Sequence, residues 1–216
     1  MKLAVIHTTP VTVDTFKSLA AELVPDCEVV NFVDDSILPQ LISNGGKVSD
    51  VENRLLHYAR FAEEVGADAI LSACSSVGEV AVKMRENVSI PVVRVDDAMT
   101  EAAIARGSWI GVAATLSTTL RPTIELLRQK ALQANSEIEI VPQLVDSAYK
   151  KLMAGDREGH DAALVEALTG LANQVDVVVL AQASMARVLP RLPEALQEKF
   201  LTSPRLSMEQ VKEVLS

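Results

Sequence analysis

Hydrophobic and polar positions alternate between two periods along this chain. Short strand-length runs recur at Lys2–Ile6, Glu28–Val33, Ala69–Ala73 and Val92–Val95. Between them lie segments with helical spacing. Asp14–Leu23 places Phe16, Leu19, Ala20 and Leu23 on one face. A helix capped by Asp50 and running to Val65 places Val51, Leu55, Tyr58, Ala59 and Ala62 on one face, with Gly66 just past its end. Asn44-Gly45-Gly46 marks a loop. Cys74-Ser75-Ser76-Val77-Gly78 leads out of the third strand into a further helix. Strands separated by helices predict βαβ units and parallel sheet.

The second half of the chain repeats this plan. Ile110–Ala114, Glu137–Val141 and Val177–Ala181 match the first three strands, and Gly159–Gln174 matches the long helix. Asp35-Ser36 followed by Leu41 matches Asp146-Ser147 followed by Leu152. Asp68–Leu71 matches Asp176–Val179, and Met99 matches Met208. All three matches fall at nearly one offset, close to half the chain length. The expected fold is therefore α/β, with two pseudo-symmetric Rossmann-like half-domains, each on a parallel sheet. The first half spans 1–106 and the second 107–216, with the terminal elements open to exchange. In such sheets, ligands bind in the crevice outside the carboxyl ends of the strands. The expected site is a cleft between the halves, lined by the exits His7–Thr12, Cys74–Gly78, Thr115–Thr119 and Gln182–Met185.

Composition narrows the function. The 216 residues carry 20 basic and 29 acidic side chains, for a formal charge of −9. No Lys/Arg stripe appears, and one Trp, two Tyr and four Phe make no stacking platform, so nucleic acid is not an expected partner. No apolar run approaches a membrane span, and the N-terminus lacks a signal-peptide core. With two cysteines, the expected compartment is the cytoplasm. A homodimer is the default assembly.

Cys74 is the sharpest chemical feature. At the end of a strand and before a helix, a thiol meets free N–H groups and the positive end of a helix dipole, which favour thiolate. The alternative is a small buried apolar side chain. Ser75, Ser76 and Ser184 suit helix capping, as do Thr8, Thr9, Thr115, Thr118 and Thr119. Their clustering at four strand exits also suits an anion approached by backbone N–H groups. His7 ends the first strand and is a candidate acid–base group, against a hydrogen-bonded structural role. Arg94, Arg121 and Arg187 are candidates for gripping a second carboxylate. No HExxH, CxxC, GxGxxG or GxxxxGK[ST] pattern occurs, so neither metal nor nucleotide is expected.

The segment Ala69-Ile70-Leu71-Ser72-Ala73-Cys74-Ser75-Ser76, together with Ile90-Pro91-Val92-Val93 and Gly111-Val112-Ala113-Ala114-Thr115, resembles the aspartate/glutamate/hydantoin racemase superfamily. The resemblance spans nearly the whole chain. It implies two duplicated α/β halves, no cofactor, and one Cys from each half moving a proton at the carbon next to a carboxylate. The chain departs from that pattern in its second half. Where hydantoin racemases have Leu-Gly-Cys-Ala-Gly-Met-Ala, this sequence has Leu180-Ala181-Gln182-Ala183-Ser184-Met185-Ala186. The internal repeat likewise sets Cys74 opposite Gln182 and Ser76 opposite Ser184. Gln cannot act as an acid or base, and Ser needs a partner base.

The expected protein is thus a cofactor-independent enzyme of this superfamily acting on a small carboxylate. Cys74 would be its single acid/base. Thr8, Thr9, Ser75, Ser76, Thr115, Thr118, Gln182 and Ser184 would bind substrate. Two alternatives stay open. One is a decarboxylase or carbon–carbon lyase using the same Cys, in the manner of arylmalonate-type decarboxylases, which keep the opposite Cys. The other is a small-acid binding protein without turnover.

Overall fold

The computed structural model describes the whole chain, Met1–Ser216. It divides into two compact units, Met1–Ala98 with Pro204–Ser216, and Met99–Ser203. No helix is long and apolar enough to cross a membrane.

In the first unit, β1 (Lys2–His7), β2 (Glu28–Val33), β3 (Ala69–Ser72) and β4 (Val92–Arg94) form a parallel sheet in the order β2-β1-β3-β4. The helices of this stretch are α1 (Val13–Leu23), α2 (Ile37–Ser43), α3 (Ser49–Glu64) and α4 (Val80–Asn87). Side chains of β1 alternate between faces, as a pleated strand requires. Ala4 and Ile6 join a core with Leu41, Leu55 and Met84, while Leu3 and Val5 join one with Phe16, Leu71 and Val93. Burial on both faces explains why the strands read as continuous apolar runs.

Helix α5 (Asp97–Arg106) leads into β5 (Trp109–Ala114). The second unit continues with α6 (Ser117–Gln133), β6 (Glu139–Leu144), α7 (Asp146–Met153), α8 (Arg157–Ala172), β7 (Val177–Leu180), α9 (Glu194–Gln197) and β8 (Phe200–Thr202). Its parallel sheet has the order β6-β5-β7-β8, the same plan as the first. The chain then ends in α10 (Ser203–Leu215), whose Met208 and Val211 are buried in the Phe16 core of the first unit.

Two local expectations need correction. Asp50 lies inside the first turn of α3 and is not its cap. Its carboxylate accepts from Asn44 Nδ2 at 3.1 Å and pairs with Lys47, which anchors the preceding loop. The sixth strand runs from Glu139 to Leu144 rather than from Glu137 to Val141. Asn135 turns the chain with φ 49°, and the next residues carry it back to the sheet before Glu139 N–H bonds Ser108 O at 2.7 Å. Pro142 fits there because β6 is an edge strand. The segment after β3 leads into a helix as expected, through a three-residue 3₁₀ turn, Ser75–Val77, before α4 begins at Val80.

Candidate active site

Strands β1 and β3 pair in parallel with Ile6 opposite Ser72, so their exits lie side by side. Ala73 N–H donates to Ile6 O at 2.9 Å and holds the exits together. Thr8 and Cys74 follow from there. Cys74 has extended backbone (φ −140°, ψ 114°) and immediately precedes the 3₁₀ turn. It is a free, half-buried thiol.

Burial pushes the Cys74 thiol above its ordinary pKa. Opposing this, the Thr8 hydroxyl, the Ser76 and Val77 N–H groups and the Ser76 hydroxyl all face the sulfur and favour thiolate. Burial is the largest of these effects, so the thiol of the resting protein is raised rather than lowered as a helix terminus alone would have it. Ser75 and Ser76 are themselves buried within it. Thr8 Oγ1 is buried, and the Cys74 sulfur is the group it faces. Thr9 stands beside them as a cap, accepting from Val11 N–H at 3.4 Å.

His7 is fully buried. Its Nδ1 lies 2.8 Å from Thr12 Oγ1 and its Nε2 2.9 Å from Asn31 Oδ1. A neutral ring with its proton on Nε2 satisfies both contacts, with Thr12 donating to Nδ1. Burial holds its pKa down, against the opposing pull of Asn31. His7 therefore braces the β1 exit. The sequence places Thr12 in the β1 exit but does not single out Asn31. Asn31 interrupts an otherwise apolar strand, and that interruption was the available signal.

Two of the three candidate arginines are paired with carboxylates of the chain itself. Arg94 is buried and paired with Asp96, Nε to Oδ1 at 2.6 Å and NH2 to Oδ2 at 3.1 Å. A Cβ on Gly78, which closes the Cys74 turn, would overlap that guanidinium. Arg187 binds Asp161, which also accepts from His160 Nδ1 at 2.7 Å and Arg191 at 3.1 Å. Arg121 is exposed on α6.

The second unit repeats the geometry with other chemistry. Ala113 lies opposite Leu180, and Ala181 N–H donates to Ala113 O at 2.9 Å. Thr115 and Gln182 occupy the places that Thr8 and Cys74 hold in the first unit. Gln182 has extended backbone (φ −118°, ψ 129°) before a 3₁₀ segment, Ala183–Arg191. Its Oε1 accepts from Thr115 N–H at 2.6 Å and Thr115 Oγ1 at 2.9 Å. Thr118 Oγ1 is buried without a partner, and Ser184 is exposed. No group of three or more His, Cys, Asp and Glu side chains is placed to hold a metal ion.

The family model for Asp/Glu/hydantoin racemases matches residues 5–211. The chain belongs to this family. A glutamate racemase from Vibrio campbellii is 33% identical over 143 residues, covering 64% of this chain and 52% of that protein. The glutamate racemase of Vibrio cholerae is 28% identical over 142 residues, covering 65% and 53%. The chain thus spans about half the length of the curated relatives it matches. The fold matches glutamate racemase from Francisella tularensis in complex with D-glutamate (TM-score 0.76, 16% identity, 99% of this chain and 80% of that one). It also matches an aspartate racemase homologue from Pyrococcus horikoshii (TM-score 0.72, 16% identity, 100% and 99%).

Proposed function

We propose that this protein is a racemase-family enzyme that moves a proton at the carbon next to a carboxylate of a small acid, with Cys74 as its acid/base and no cofactor. The observation that carries the reading is the setting of the Cys74 sulfur. Burial keeps its proton on, while two hydroxyls and two backbone N–H groups stand ready to stabilise the thiolate. A thiol held between these opposing effects can give and take a proton. The thiol first gives its proton to solvent; the thiolate then removes the α-proton, the C–H bond breaks as S–H forms, and the electron pair moves onto the carboxylate as an enediolate. Return of a proton from the same sulfur restores the acid. Thr8, Thr9, Ser75, Ser76, Thr115, Thr118, Gln182 and Ser184 are the proposed binding groups, and their hydroxyls and N–H groups suit developing oxyanion charge. Two free thiols and no transmembrane helix fit a cytoplasmic enzyme.

The raised thiol pKa also favours a second reading, in which Cys74 acts mainly as a proton donor. Loss of CO₂ from a substituted malonate leaves a carbanion, and the thiol protonates it. Solvent then returns the proton to sulfur.

Proton NMR in D₂O tests the choice. The protein and its Cys74→Ala variant are incubated with aspartate, glutamate, 2-hydroxy acids, hydantoins and substituted malonates. Deuterium entry at the α-carbon that disappears with Cys74→Ala supports the first reading, and Cys74-dependent loss of a carboxyl group supports the second. Carboxylate binding with neither reaction would instead mark a binding protein.

A further inference from the structure

The two units carry one plan and different chemistry at matching places. Thr115 aims two donors, its N–H and its hydroxyl, at one atom of the Gln182 amide. An atom that receives two donors must be the carbonyl oxygen, so the amide nitrogen occupies the other position. The backbone N–H fixes one contact and the hydroxyl the other, which leaves the amide little freedom to flip. Gln182 is half-buried, and its Nε2 makes no hydrogen bond within the chain, so its N–H groups are left for a ligand or water. The turns after β5 and β7, Thr115–Thr119 and Ala181–Met185, contain no side chain that titrates. After β6 comes Asp146, which is exposed and paired with Lys150 at 2.7 Å.

We infer that Gln182 is a fixed hydrogen-bond donor for an acceptor oxygen of a carboxylate ligand, and that proton transfer runs through Cys74 alone. The second clause rests on the Cys74 reading above, whereas the first stands on the Gln182 geometry. One thiol serves one face of an α-carbon. The expected reaction is therefore exchange of the α-proton with solvent at retained configuration, in place of racemisation. The thiolate takes the proton, the thiol exchanges it for a solvent deuteron, and the same sulfur returns that deuteron to the face it came from.

Two measurements separate the clauses. The first follows D- and L-glutamate and D- and L-aspartate in D₂O, by NMR for deuterium and by chiral chromatography for configuration. Cys74-dependent deuterium entry with the starting enantiomer retained is expected. Inversion by the unmodified protein would overturn the one-face clause, and no Cys74-dependent exchange would overturn the Cys74 reading. The second titrates malonate, glutamate and aspartate while observing the Gln182 side-chain amide in ¹⁵N-correlated spectra, with Gln182→Met compared by calorimetry. Movement of that amide signal is expected, with binding at least about tenfold weaker in Gln182→Met, the loss typical of a hydrogen bond to a charged group. An unmoved amide signal, or unweakened binding in a folded Gln182→Met protein, would overturn the donor clause whatever the exchange experiment gives.

Discussion

The Arg94 guanidinium is bonded through two nitrogens to the Asp96 carboxylate, and both side chains are buried. Arg94 ends β4 and Asp96 lies in the two-residue turn before α5, so the pair forms locally. Paired with Asp96, the Arg94 guanidinium lies against the Cys74 turn, in the space that Gly78 leaves. Removing one partner strands the other as a buried charge. Asp96→Asn is expected to cost about 3–5 kcal/mol, measured by urea unfolding. A double variant, Arg94→Met with Asp96→Leu, is expected to regain much of that loss. A cost for Asp96→Asn within about 0.5 kcal/mol of zero would show that the pair does not bear on stability.

Gly78 has no room for a side chain, because its Cβ would enter the Arg94 guanidinium. Gly78→Ala is expected to destabilise by about 1–3 kcal/mol, the usual range for overpacking. In an Arg94→Met background the same substitution is expected to cost less. A thermodynamic cycle of the four proteins measures the coupling, and simple additivity would place the clash elsewhere.

The Cys74 thiol is held above its ordinary pKa by burial. In the unfolded chain it ionises near about 8.5. The unfolded state therefore releases this proton first as pH rises. The stability contributed by the buried thiol is full below that value and is lost as pH climbs through the folded pKa. In a Cys27→Ser background, urea midpoints measured on the alkaline side are expected to fall more steeply with Cys74 present than with Cys74→Ser. Iodoacetamide should modify Cys74 with an inflection above that of a free thiol, and Thr8→Val should move it further up.

His7 carries the opposite sign. Burial lowers its pKa, so the unfolded chain takes up a proton first, near about 6.5. The stability from this neutral imidazole is present above that value and is lost as pH falls through the folded pKa. His7→Gln is expected to remove that acid slope, read from unfolding midpoints in mildly acidic buffers. Imidazole ¹⁵N shifts should show His7 neutral, with the proton on Nε2, where free histidine is half-protonated.

Thr115→Val deletes the hydroxyl donor to Gln182 and keeps the backbone one. A cost of about 0.5–1.5 kcal/mol is expected, as for a single hydrogen bond. The Gln182 side-chain amide should also become more mobile, seen as a lower ¹⁵N heteronuclear NOE on Nε2. An unchanged NOE would show that the backbone contact alone orients the amide.

The sequence makes the sheets legible because the central strands β1, β3, β5 and β7 are buried on both faces and read as apolar runs. The repeat was legible too, in Asp68 against Asp176 and in Cys74 against Gln182, whose matching backbone angles bear out the alignment. Contacts between residues far apart in the chain were not. Thr115 and Gln182 are 67 positions apart, and no local pattern reports that one donates twice to the other. The Cys74 pKa also escaped, because its direction depends on how deeply the sulfur is packed. The Arg94–Asp96 pair is not legible either, although the partners are two residues apart, because an arginine at a strand exit suits a ligand carboxylate as well as a local one.

The central claim is that Cys74 moves a proton at an α-carbon. The most direct measurement is α-deuterium incorporation into D- and L-glutamate and D- and L-aspartate in D₂O, run beside Cys74→Ala and a Cys74→Ser control, with folding checked by circular dichroism. The account predicts deuterium entry with at least one of these acids in the unmodified protein and its loss in both variants. Deuterium entry that survives in a folded Cys74→Ala protein would contradict it.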